Sequence, residues 1–371
     1  MADAKVPEQL KSDVPLTLFG RILLATPVVM AVVATMLAGL SSSEMTRAQY
    51  DRAMAAQLQS KAGDQWSYFQ AKKLRGATQR NTLDLLEASG DLGPLSVEAL
   101  TATAGQLVPY LQQVDAEAKK ALQAAPAGGT DALNRYLKGS SRRNAEAEKV
   151  QADHQATLKS PETTAALGAM LRAQAPDIGP QAPLPPEMAA AVKVMEESVS
   201  EDDIKAAVGK LNDQAISEAL RAAKARPTML DSANGPIAQC IDRVETLLGR
   251  GATLLKETRE AGLKSLPPAP WLLREFAAAR MRFSVARYDA EARLNQAIAN
   301  LIELQVRRSN LSSERHQARS QRFFYGMLAA QMAVIVATFS IAARKRNLLW
   351  TLAAGAGLVA VLFGAYVYLY I

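Results

Sequence analysis

Hydrophobic residues are not spread evenly along this 371-residue chain; they gather into three long runs. Ile22–Leu40 (19 residues), Phe323–Ala343 (21) and Leu348–Ile371 (24) contain no Asp, Glu, Lys or Arg. A bilayer hydrocarbon core of about 30 Å needs roughly 20 such residues in a helix. The pattern therefore predicts three transmembrane helices. Trp350, Tyr366, Tyr368 and Tyr370 stand near the ends of the third run, where aromatic belts form. A cleaved leader is the alternative for the first run, but that run exceeds the usual apolar stretch of about 7–15 residues and no A-x-A site follows it. Only Arg344-Lys345-Arg346-Asn347 separates the last two runs, which makes them a hairpin.

Between the first two runs the pattern is helical and polar. Ser41–Ser89 has no proline and stops at Gly90-Asp91-Leu92-Gly93-Pro94. Helices are predicted over 95–125 and 130–159, split by Pro126-Ala127-Gly128-Gly129, with a short one over 161–175. Residues 175–186 hold five prolines and read as a stiff connector. Helices resume over 187–199 and 201–225, the second opened by Ser200 with Asp203 three residues on, close to a capping box. Pro227 and Asn234-Gly235-Pro236 read as breaks before a helix over 237–264, and Lys264–Pro270 breaks the chain again. From Trp271 to Tyr325 there is no Gly or Pro in 55 residues; an unbroken helix of that length spans roughly 80 Å. No sustained repeat stands out.

These elements define an all-α membrane protein in which an antiparallel, coiled-coil-like helical stalk carries a helical cap. An N-terminal tail (1–21) precedes the first span (22–40), an outgoing stalk helix (41–89) and the cap (90–270). A returning stalk helix (271–322), the second span (323–343), the basic loop (344–347) and the third span (348–371) follow. The two stalk segments, 49 and 52 residues long, are close to equal. Laid antiparallel, residue i faces roughly residue 363 − i. That register sets Glu44 by Arg319, Asp51 by Arg315, Lys61 by Glu303 and Lys73 by Asp289 and Glu291. It also sets Trp66 by Ile298 and Phe69 by Leu294. Exposed ion pairs are each worth well under about 1 kcal/mol, so such pairs report register more than they hold the stalk. A straight stalk of this length would carry the cap about 70 Å or more from the bilayer.

The formal charge of +7 changes the picture only once its position is known. Arg307, Arg308, Arg315, Arg319 and Arg322 crowd the approach to the second span, and Arg344, Lys345 and Arg346 fill the hairpin tip. These eight residues are candidates for lipid headgroups, each cation near an anionic surface being worth about 1 kcal/mol. Their place at the membrane border argues against nucleic acid. Arg344–Arg346 with Lys5, Lys11 and Arg21 favour a cytoplasmic N-terminus and hairpin tip, leaving 41–322 on the far side.

Alanine supplies 69 residues, which favours helix over well-filled cores. One cysteine and two histidines exclude an intrachain disulfide framework and a Cys/His zinc site within one chain. Cys240 reads as a buried inert thiol, and His154 and His316 as surface residues. Glu196-Glu197 and Glu201-Asp202-Asp203 read as solvated or capping carboxylates rather than a cation site, because adjacent helical residues point apart. No nucleophile elbow, Walker loop or dinucleotide fingerprint is present. No cofactor or catalytic residue is expected. The spans hold no ionisable group, which weighs against ion-coupled transport, and Gln331 is their one strongly polar side chain. Ala353, Gly357, Ala360 and Gly364 line one face of the third span at spacings 4, 3, 4; this face serves either packing within the chain or oligomerisation.

Asp64–Arg75 reads DQWSYFQAKKLR. On a helix Trp66, Phe69, Gln70 and Lys73 share one face, and Asp64, Tyr68 and Lys72 another. Docking of the aromatics on the returning helix is the plainer reading; an aromatic–basic recognition patch that also uses Gln65 is the sharper one. With its N-terminal anchor and closing pair of spans, the chain resembles a family of bacterial membrane proteins known only as a domain of unknown function. The matching residues are Asp64, Gln65, Trp66, Tyr68, Gln70, Ala71 and Lys72, then Arg322, Phe323, Phe324 and Arg344–Trp350. The resemblance covers 20–90 and 280–371, so 91–270 reads as an insertion. It implies a bacterial inner-membrane location and a topology, and no activity. The expected role is a non-enzymatic scaffold with lipids, an unidentified protein and a second copy of itself as partners. An oligomeric channel or transporter-associated subunit is the alternative, and a sensory helical bundle a more distant one.

Overall fold

A computed structural model describes residues 18–90, 92–124, 131–180, 183–197, 200–259, 272–342 and 346–370. Among these there are ten α-helices and no strand. They are α1 (Leu18–Ala88), α2 (Val97–Ala124), α3 (Asp131–Lys138), α4 (Ser140–Lys159) and α5 (Pro161–Leu171). Then come α6 (Pro186–Glu196), α7 (Glu201–Gly209), α8 (Asp213–Arg259), α9 (Leu273–Ala342) and α10 (Arg346–Tyr370). Helices α1, α9 and α10 are long and apolar enough to cross a membrane. In α1 and α9 the apolar segment and the polar segment are one continuous helix.

The described residues form two compact units, Met1–Lys61 with Pro185–Ile216 and Ile302–Ile371, and Ala62–Leu184 with Ser217–Leu301. In the first, the three apolar helices meet around Ala34, Leu37, Phe323, Ala330, Ala360 and Val367. Where the apolar segments end, α1 and α9 are joined by small residues. Ser320 Oγ donates to Ser41 O at 2.8 Å, Ser41 Oγ donates to Ser320 O at 3.0 Å, and Ser313 Oγ donates to Ala48 O at 2.8 Å. Side chains as short as serine reach the opposite backbone only when the helices lie close. Helix α6 lies against α7, burying Met188 and Ala191 on one and Ile204 and Val208 on the other. Ser200 caps α7: its Oγ accepts from Asp203 N and donates to Asp203 Oδ2 at 2.7 Å.

In the second unit, α2 buries Leu100, Ala104, Leu107, Leu111, Val114 and Ala118, at alternating spacings of four and three. This stripe meets Leu158 on α4, Leu167 and Met170 on α5, Val244 and Leu248 on α8, and Phe276 and Phe283 on α9. Further along α2, Ala147 and Val150 of α4 and Leu254 and Leu255 of α8 continue the core.

Three expectations change. The stretch expected as one helix over 130–159 is two, α3 and α4, separated at Gly139. The expected helix over 201–225 ends at Gly209 and restarts at Asp213, while Pro227 and Asn234-Gly235-Pro236 do not break the chain and lie inside α8. A proline inside a helix costs about 3 kcal/mol. Leu230, Ile241, Val244 and Leu248 are at most 2% exposed, and burying each contributes about 1.5–3 kcal/mol, enough to carry the helix through. Finally, there is a sustained repeat. Along α1, every seventh residue from Ala34 through Ser41, Ala48, Ala55, Ala62, Phe69 and Gly76 to Leu83 is buried, Phe69 only half so. Along α9, Ala278, Val285, Ala292, Ala299, Val306, Ser313 and Ser320 repeat in the same way, with Val285 half-buried.

Candidate interaction surfaces

The DQWSYFQAKK segment lies in the middle of α1. Trp66 and Phe69, both half-buried, meet edge to face with ring centres 5.5 Å apart. Asp64 and Gln70 are exposed. Lys73 Nζ stands 3.4 Å from Asp289 Oδ1, as the register requires. Lys72 takes Glu291 at 2.5 Å, and Arg287 Nε holds the other oxygen of that buried carboxylate at 3.1 Å. Both cations also lie over the ring of Tyr288.

The cavity opens on the face that carries Tyr68 and Lys72, with Gln65 rather than the exposed Asp64 as its third residue. Gln65, Tyr68 and Lys72 line a groove of about 360 Å3 with Lys224, Pro227 and Asp231 of α8 and Glu291, Asn295 and Ile298 of α9. The break expected at Pro227 is absent, and α8 runs on past the groove. Because α8 passes through Pro227, it supplies one wall, with the cation Lys224 and the carboxylate Asp231 about two helical turns apart. The groove presents amide, phenol, ammonium and carboxylate groups together. Such a mixed lining suits a polar peptide-like surface better than one strongly charged ligand.

Of the arginines before the second apolar segment, Arg307 and Arg308 are paired within the chain. Arg307 NH2 meets Glu303 at 3.1 Å, and Arg308 Nε meets Asp213 at 3.0 Å while donating to Gly209 O. Arg315 is exposed; Arg319 and Arg322 are half-buried. Glu44 does not pair with Arg319: it meets His316 Nδ1 at 2.5 Å and Arg47 at 3.4 Å. His316 Nε2 lies 4.0 Å from Asp51, the carboxylate expected to face Arg315. Glu303, expected opposite Lys61, takes Arg307 one turn along its own helix. A second groove, of about 310 Å3, lies among Arg52, Lys205, Arg307, Asn310, Ser313 and Glu314. There Glu314, 3.3 Å from Lys205, raises the ammonium pKa above its ordinary value. Arg344 and Lys345 lie outside the described residues, and of Arg346 only the backbone is described.

His154, expected at the surface, is not there. It is fully buried, on the α4 stripe Ala147, Val150, His154 and Thr157, and burial lowers its pKa to about 4. The spacing of 3 and 4 from Val150 was the available signal. Cys240 is half-buried.

On α10, Ala353, Gly357, Ala360 and Gly364 are all buried within the chain. Met30 of α1 lies against Gly357, its Cε 2.8 Å from where a Cβ would stand, and Leu37 Cδ2 holds the same position at Gly364. This small-residue face is therefore filled by α1. Trp350 Nε1 donates to Thr26 Oγ1 at 3.0 Å, tying α10 to α1 near one end.

These features define an all-α protein with three helices suited to crossing a bilayer and a polar helical region between the first two. Residues 24–171 match the family model described as a domain of unknown function (DUF4337). The match begins inside the apolar segment of α1, includes the DQWSYFQAKK stretch, and ends at the last residue of α5. It thus runs through 91–171, the first part of the stretch expected to be an insertion. The chain matches no curated protein and no solved structure.

Proposed function

We propose that this chain is a non-enzymatic scaffold anchored in a bacterial inner membrane. Its N-terminus and 344–347 loop face the cytoplasm, and residues 41–322 stand on the other side, where the α1–α8–α9 groove receives a protein partner. One observation carries the reading: large apolar side chains left exposed gather on the spans, among them Val28, Val32 and Met36 on α1, Met332 and Phe339 on α9, and Leu358 and Leu362 on α10. In water such a surface would aggregate; in a bilayer it is solvated. The same helices α1 and α9 then continue as polar helices, so anchor and presented region share a backbone.

The alternative, a subunit of an oligomeric channel, draws less support. The interior of the three-helix group is filled by Ala34, Leu37, Phe323, Ala330, Ala360 and Val367, and the small face of α10 is occupied by α1. Alkaline carbonate washing tests the anchoring: the chain is expected in the membrane pellet, and its release into the supernatant sinks the proposal. Orientation is tested in a Cys240→Ser background with a membrane-impermeant maleimide. Ser42→Cys is expected to label from outside the cell and Asn347→Cys only after lysis; the opposite pattern reverses the topology.

A further inference from the structure

The polar side chains inside the three apolar segments can be traced one at a time. Thr26 and Thr35 donate to backbone oxygens of Ile22 and Ala31, four residues back. Thr338 donates to Val334 O, Ser340 to Ala337 O and Thr351 to Leu348 O. Each of these serine and threonine hydroxyls is satisfied within its own helix. Gln331 is different. Among the described residues its side chain makes no hydrogen bond, and it is exposed, on the face of α9 turned away from α1 and α10. The buried side of α9 is Phe323, Gly326, Ala330, Ala333, Ala337 and Ser340; at 100° per residue Gln331 projects well away from it.

The depth of Gln331 makes this costly. It lies two residues from the midpoint of Phe323–Ala343, about 3 Å along the helix axis. With a half-thickness of about 15 Å, the headgroups are roughly 12 Å away, beyond the reach of a glutamine side chain. A primary amide left in hydrocarbon without a partner loses several kcal/mol.

Resting on the membrane reading above, we propose that Gln331 is the centre of a parallel homodimer interface formed by α9 of two copies. A carboxamide carries both donors and an acceptor, so two can close a reciprocal pair of N–H···O bonds. A twofold axis along the membrane normal sets each residue at the depth of its own copy, so a carboxamide at the interface meets itself, while the Thr338 hydroxyl on this face is already satisfied by Val334 O. The rest of the face suits a self-contact: Phe324, Leu328, Ile335 and Thr338 are exposed on the same side, with no charge to repel its copy. Because α10's small-residue face is already filled within the chain, it does not compete for this role.

The test uses the full-length chain, with Cys240→Ser, in phosphatidylcholine vesicles. Leu328→Cys and Ile335→Cys, which keep Gln331, are expected to form disulfide-linked dimers on mild oxidation, whereas Val361→Cys on the exposed face of α10 is not. Energy transfer between labelled chains, followed as lipid is added, gives the dimer dissociation constant. Gln331→Leu is expected to raise it roughly five- to ten-fold, the range supplied by two interhelical amide bonds, and Gln331→Asn to retain most of the association. Gln331→Leu is not expected to disturb the fold, since it replaces an exposed amide by an apolar group in hydrocarbon; unchanged helicity checks this. A monomer at every dilution, an unchanged constant for Gln331→Leu, or cross-linking through Val361→Cys instead would overturn the interface. A chain that does not float with the vesicles overturns the membrane reading itself, and the interface with it.

Discussion

Arg143 is 7% exposed, and its guanidinium is used three ways. It meets Asp115 at 3.7 Å, donates to Tyr136 O at 2.8 Å and lies over the Tyr136 ring. Asp115 in turn accepts from Asn144 Nδ2 at 2.8 Å. Burial in this cluster, with Asp115 beside it, pushes the Tyr136 hydroxyl pKa up to about 12. Removing one partner of a buried pair leaves an uncompensated charge, so Asp115→Ala is expected to destabilise the helical region by about 3–5 kcal/mol. Denaturant unfolding of the variant against the parent checks this; a loss under about 1 kcal/mol would mean that water already solvates Arg143. His154 brings a pH dependence of known sign. Its folded pKa of about 4 lies below the ordinary 6.5, so the unfolded chain takes up a proton that the folded chain refuses. Stability therefore falls as pH drops from about 6.5 to about 4 and levels off below that. At about 1.36 kcal/mol per unit the loss approaches roughly 3 kcal/mol. His154→Leu is expected to remove this part of the slope, read as the melting temperature at pH 7, 5.5 and 4.5.

Among the helices, the decisive feature is the seven-residue repeat on α1 and α9, most of whose members are Ala, Ser or Gly. Pairs within each unit give the register directly: Ser41 with Ser320 and Ala48 with Ser313 total 361, and Lys72 with Glu291 totals 363. The charges argued this register well and the partners less well, since long side chains at the rim choose among neighbours one turn apart. The small residues set the spacing. A larger side chain at a repeat position must push the helices apart, at about 1–3 kcal/mol or more. Ala55→Leu (Ala55 is 3% exposed) is expected to lower the melting temperature by several degrees, and Ala56→Leu, on the exposed side, to leave it within a degree or so. Equal effects from the two would show that the repeat does not set the spacing. Alanine hid this repeat from a search for large apolar residues. The α8 stripe was hidden otherwise, by two prolines that local propensity reads as stops.

For the whole molecule, the strongest consequence is where charge can be tolerated. Val361 is 46% exposed on α10, and arginine near the centre of a span costs about 2.5–3.5 kcal/mol in membrane insertion. Val361→Arg is expected to reduce the carbonate-resistant fraction, while Met229→Arg, at a residue 52% exposed on α8, leaves it unchanged. If both variants stay in the pellet alike, the exposed face of α10 does not contact lipid.

Local composition was enough to read the helical class, the three apolar segments and the antiparallel register of α1 and α9. Length without charge, absence of Gly and Pro, and the order of charges along a helix are properties that one segment carries whatever surrounds it. Tertiary structure decided what depended on a second segment. Burial of Leu230 and Val244 keeps α8 helical through Pro227, and that continuity gives the DQWSYFQAKK groove its third wall. Met30 and Leu37 fill the small face of α10, which spacing alone left open between self-association and internal packing. His154 is buried because the apolar stripe of α4 lies against α2. Only once α1 and α10 have taken one side of α9 does Gln331 face outward, a polar group whose surroundings are set by the fold.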